Sequence, residues 1–74
     1  MWIMREDESL YVNEANVAMV AMDASDCSLT LTGRDRAEIL KISFEYIESV
    51  YKAYQSIVKA VALGKPLVDI RKME

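Results

Sequence analysis

The sequence predicts an α+β domain. Its parts are an antiparallel β-meander of four to five short strands and one long C-terminal α-helix over about residues 43–63, with residues 67–70 as a candidate late strand. Three observations carry this. Ser28–Thr32 (SLTLT) alternates apolar and polar residues strictly, the pattern of a half-buried strand. The apolar runs around it are separated by polar clusters at 6–9, 13–16 and 23–26, as turns separate strands. From Ser43 the apolar spacing lengthens to a helical period and stops at Gly64, with Pro66 two places on, a stop signal of glycine then proline.

The elements follow in order. Met1–Arg5 is a short apolar run containing Trp2, and Glu6-Asp7-Glu8-Ser9 is a polar break suited to a hairpin turn. Leu10–Asn13 reads as strand. Asn13 then opens a turn, where its side chain can bond the backbone two residues on. Val17–Met22 (VAMVAM) is apolar on both alternating faces, as in a strand covered on both sides or covered on one side by another chain. Asp23–Asp26 is the next turn, and SLTLT the clearest strand.

Gly33–Ser43 has two readings. Asp35-Arg36-Ala37-Glu38 is a D-x-x-E capping pattern that could start a helix. Alternatively, Gly33–Arg36 is a hairpin turn and Ala37–Ile42 a strand. The helix would run to about 29 residues, beyond the ordinary range, and would leave SLTLT without a sequence neighbour. The strand is therefore expected, with Ser43 as N-cap of the helix and Glu45 in its first turn.

That helix sorts into three stripes. Glu45, Glu48, Ser49, Lys52, Gln55, Ser56 and Lys59 form a polar one. Ile47, Tyr51, Tyr54, Val58 and Val61 form an apolar one, and Tyr46, Val50, Ala53, Ile57 and Ala60 a second, shifted by one residue. One residue is about 100° of rotation, so the two apolar stripes together span close to 200°. A helix resting on one sheet needs roughly 100°. One stripe is left for a partner. The bulkier stripe is expected on the sheet, and Tyr46, Val50, Ala53, Ile57 and Ala60 at the interface, where the alanines would let a second helix approach; the reverse assignment stays open. Residues 1–64 read as a single meander-plus-helix domain, and 65–74 as a C-terminal tail or an edge strand.

Composition sharpens the need for a partner. The chain has 74 residues, of which 53% are hydrophobic and 28% charged. A domain this small buries only about 60% of the surface its unfolded chain exposes and often needs a staple. With one cysteine and no histidine, neither an intrachain disulfide nor the usual tetrahedral zinc ligand set can be assembled. Oligomerisation is the remaining common staple.

The residues also bound the function. No histidine is present to act as a base near neutral pH, and Cys27 lacks a histidine partner to activate it. No enzyme, cofactor or metal is expected. Asp23, Asp26 and Glu6–Glu8 lack the spacing of a calcium loop and read as solvated turns. The net charge of −3 argues against general nucleic-acid binding. MWIMREDE has no basic n-region and no apolar run reaches the length of a membrane span, so a cytoplasmic location is expected. Charge is uneven: residues 1–33 hold six acids and one base, and 34–74 hold eight bases and six acids. Gly33-Arg34-Asp35-Arg36 puts two arginines on a loop tip with Lys41 nearby, a candidate anion site.

The order of pieces over about residues 10–52 resembles the small FlbD-type proteins of bacterial flagellar operons. The matching parts are Tyr11-Val12-Asn13, Val17–Met22, Leu29–Thr32, Gly33, Leu40–Ile42 and Ser43–Val50. The chain departs in having Glu14 rather than proline after Asn13, a longer loop after Gly33, and a longer helix and tail from Tyr54 onward. The resemblance implies a meander followed by a helix and brings no catalytic residues. Together these readings lead to the expectation of a non-catalytic small bacterial or phage-type protein, acting as a homo-oligomeric, dimeric interaction or assembly module through the helix face. The alternative is a regulatory module binding an anionic ligand or nucleic acid through Arg34, Arg36 and Lys41.

Overall fold

A computed structural model describes residues 1–73. In chain order the elements are β1 (Trp2–Met4), β2 (Ser9–Tyr11), a 3-10 turn (Glu14–Asn16), β3 (Val17–Asp23), β4 (Ser28–Gly33), β5 (Glu38–Ser43), α1 (Ile47–Leu63), β6 (Leu67–Asp69) and a 3-10 turn (Arg71–Met73). The strands form two three-stranded sheets, ordered β2-β1-β6 and β3-β4-β5. The second sheet is an antiparallel meander, as expected from the sequence, but of three strands where four to five were expected. The first is mixed: β1 and β2 form a hairpin, and β6 joins β1 in parallel.

The register explains the core. In the meander Leu29 pairs with Ile42, and Leu31 with Leu40. Leu29, Leu31 and Ile42 are fully buried, while the alternate row through Thr30 and Lys41 faces away, as a period of two demands. In the mixed sheet Ile3 pairs with Val68, and both are buried. Helix α1 lies against β3, β4 and β6 and joins both sheets in one core through Val50, Ala53, Ile57 and Ala60. Burying a side chain such as Ile57 contributes about 1.5–3 kcal/mol relative to leaving it exposed.

The strand expected over 37–42 is present, shifted by one residue to Glu38–Ser43, and the helix closes at Gly64. Gly64 is left-handed (φ 66°), and the N–H of Lys65 donates to the carbonyl of Ala60 at 2.9 Å, satisfying an end carbonyl that has no partner within the helix. The start differs. Ser43 ends β5 rather than capping the helix, which begins at Ile47. The N–H of Phe44 donates to the carbonyl of Cys27 at 2.9 Å and its ring is buried, so the chain stays extended past Ser43. The question of residues 67–70 resolves as strand β6. Its approach is anchored by Trp2 N–H donating to the Pro66 carbonyl at 2.8 Å, and its exit by Ile70 N–H donating to the Met4 carbonyl at 3.0 Å.

Candidate functional site

The two apolar stripes of α1 meet different fates. Val50, Ala53 and Ile57 are 0% exposed and Ala60 1%. This corrects the expected interface: those four residues face the sheets, and Tyr46, just before the helix, is 61% exposed. The physical reason is the one that suggested an interface, applied to the other partner. Ala53 and Ala60 let the helix backbone come close to the strands, whereas tyrosines at 51 and 54 would hold it away. The stripe left over is Ile47, Tyr51, Tyr54, Val58 and Val61. Tyr51 is 47% and Val58 37% exposed, and the other three pack against the rim of the core.

Beside this stripe runs β3, an outer strand of the meander. Between them lies a groove of about 270 Å³, lined by residues 17–20 of β3 and by Tyr54, Val58, Val61 and Ala62 of α1. No lining residue is charged. A register shift between Val17 and Met19 bulges the strand at Ala18, and Met19 beside it is 53% exposed. Methionine adapts its shape to a partner, so the groove combines a strand edge, an adaptable side chain and a helix flank.

Arg34, Arg36 and Lys41 are not brought together. The Arg34 side chain donates from Nε to the Ala15 carbonyl at 2.8 Å, and its N–H bonds the Asn16 carbonyl at 3.0 Å. It therefore ties the β4–β5 turn to the turn before β3. Arg36 sits in the same turn with φ 67°. Lys41 points to the opposite end of the meander, where Nζ lies 3.2 Å from Asp26 Oδ2.

The acids are likewise occupied in turns. Asp23 Oδ1 accepts from the N–H of Ser25 at 2.9 Å and from its hydroxyl at 2.6 Å. The hydroxyl of Ser28, then Lys41, hold the Asp26 carboxyl below its ordinary pKa. Glu14 is lowered mainly by the hydrogen bond from the α-ammonium of Met1, 2.7 Å away. Asp69 is lowered to about 2 by its two-point contact with Arg71. Among the described residues no three His, Cys, Asp or Glu side chains gather where they could hold a metal ion.

A second exposed apolar row escaped the reading of the sequence. Tyr11, Trp2 and Leu67 stand side by side across the mixed sheet, at 61%, 49% and 48% exposure. The Trp2 and Tyr11 rings meet edge to face with centroids 5.3 Å apart, a favoured aromatic geometry. Period-two alternation was the available signal: once Ile3 faces the core, Trp2 must face out.

No protein-family model, curated protein or solved structure matches the chain. Among the described residues no helix is long and apolar enough to cross a membrane.

Proposed function

We propose that this chain is a non-catalytic interaction or assembly module that works as a homo-oligomer, most simply a dimer. One observation carries the reading: a half-exposed apolar stripe of α1 borders an uncharged groove beside an outer strand. An apolar groove flanked by exposed large side chains marks an interaction site more often than idle surface. The small core supports the same reading, since subunit association is one way to stabilise a domain whose single cysteine allows no intrachain disulfide. The arginine-tip alternative draws less support, because Arg34 is committed to Ala15 and Lys41 to Asp26.

Sedimentation equilibrium of the wild type and of Val58→Glu tests it. The wild type should dimerise at micromolar concentration, and Val58→Glu should stay monomeric with its fold intact, because Val58 already reaches solvent. A wild type that is monomeric at high micromolar concentration would overturn the reading. Dimerisation through an apolar groove should survive added salt, whereas anion binding at an arginine tip should fade with it.

A further inference from the structure

The first residues of most domains are poorly ordered unless something ties them down, and here Met1 is tied down. It is 3% exposed. Its α-ammonium donates to the Val12 carbonyl at 2.9 Å, in a buried bond, and to Glu14 Oε2 at 2.7 Å. The Met1 carbonyl accepts from the Val12 N–H at 2.8 Å. Met1 and Val12 thus exchange both backbone bonds, as a hydrogen-bonded antiparallel pair does, and close the open end of the β1–β2 hairpin. Glu14 supplies the counter-charge.

The hairpin has little else to hold that end. Its strands are three residues each, and β2 is an outer strand that pairs with β1 alone. A two-stranded hairpin is marginal by itself in water. On its other side β1 meets β6 over three residues, with the Trp2 N–H on the Pro66 carbonyl and the Ile70 N–H on the Met4 carbonyl. The clasp therefore sits where local opening would begin. Met1, Ile3 and Val12 are core residues that leave with the hairpin when it opens. Trp2 and Tyr11 leave too, and with them two members of the exposed row whose third, Leu67, belongs to β6. The meander and α1 keep a core of their own in Leu29, Leu31, Ile42, Val50, Ala53 and Ile57.

The chemistry of the clasp needs an amine. An ammonium has three N–H donors and a positive charge, and serves Val12 and Glu14 together. An amide nitrogen has one N–H and no charge. If that N–H keeps the Val12 carbonyl, the Glu14 carboxylate loses its charge-assisted bond and faces the acyl carbonyl, a second acceptor. If it turns to Glu14, the Val12 carbonyl is left unpaired in a buried place, at the cost of its desolvation.

We propose that the Met1 α-amine is a modification-sensitive latch. A small acyl group on it, present when the chain folds, releases the β1–β2 hairpin from β6 and dismantles the Tyr11–Trp2–Leu67 row, while the meander and α1 stay folded. The acylation state of one nitrogen then decides whether the protein displays that apolar face.

Chemical synthesis of the full chain, with ligation at Cys27, gives the free-amine and the Nα-acetyl forms. Hydrogen exchange read by NMR compares them at one concentration. In the acetyl form the Trp2, Val12 and Ile70 amides should exchange on the order of tenfold faster, and the Gly33 and Phe44 amides of the meander at unchanged rates. In Glu14→Gln the acetyl group should accelerate exchange less than in the wild type, because no carboxylate is left facing it. Trp2 and Val12 amides that exchange equally in the two wild-type forms would overturn the latch. Equal acceleration in the wild type and in Glu14→Gln would overturn the role of Glu14 and with it the proposal. An acetyl form that loses protection at Gly33 and Phe44 as well would overturn release of the hairpin as a unit.

Discussion

Arg36 is held in the left-handed region at φ 67°, where a residue with a Cβ is disfavoured by about 1–2 kcal/mol. The turn explains why it is there. The Arg36 N–H donates to the Gly33 carbonyl at 3.0 Å, and the Gly33 N–H to the Ala37 carbonyl at 2.9 Å, so a tight turn is followed by one left-handed residue that returns the chain to β5. Glycine suits that position, and the exposed arginine side chain contributes no packing to lose. Arg36→Gly should therefore raise stability by about 1 kcal/mol, less the extra freedom glycine has when unfolded. A higher urea midpoint with an unchanged slope would show it; an unchanged or lower midpoint would mean that the arginine side chain holds something there. Cys27 is also left-handed, at φ 53°, but it is half-buried and packs against the core. There the gain from glycine would be offset by lost contacts.

Tyr46 stands at the N-cap of α1 with extended backbone (φ −124°, ψ 146°) and no capping hydrogen bond from its side chain. Serine there could accept from a free N–H of the first turn, and 61% of Tyr46 is already exposed, so little packing would be lost. Tyr46→Ser should stabilise the fold by about 1 kcal/mol, seen as a higher thermal midpoint; a fall would show that the ring is held by contacts a monomer does not display. The same helix marks how far the sequence could be read. Its end was legible because a C-terminal glycine acts locally. The strand at 38–43 was legible because SLTLT needed a neighbour. The start was not, because Ser43 is a good cap in isolation and yields to a contact across seventeen residues, between Phe44 and Cys27. The choice of core stripe depended on how near α1 comes to the sheets. β6 was undecided because its parallel partner, β1, lies at the other end of the chain. For the candidate site, the presence of a spare stripe was readable from spacing, whereas its identity and its place beside β3 required the packed fold.

Across the whole molecule, three carboxylates bind chain segments that the small core reaches poorly. Glu14 holds the α-ammonium of Met1, Asp26 links the β3–β4 turn to β5, and Asp69 braces the exit from β6. All three have pKa values lowered by those contacts. A carboxyl lowered in the folded state contributes stability that is fully present above its unfolded pKa and disappears as pH falls through its folded value. Stability should therefore decline below about pH 4.5, where Glu14 begins to matter, and go on falling toward pH 2, where Asp69 finally takes up its proton. With no histidine in the chain, no side chain of ordinary pKa titrates between about pH 5 and 7, and stability should be level there. Urea midpoints across pH 2.5 to 7 would trace this shape, and Asp69→Asn should flatten its lowest part, between the ordinary aspartate value of 3.8 and about 2. A profile that instead falls between pH 5 and 7 would show that a group outside these three contacts controls the fold.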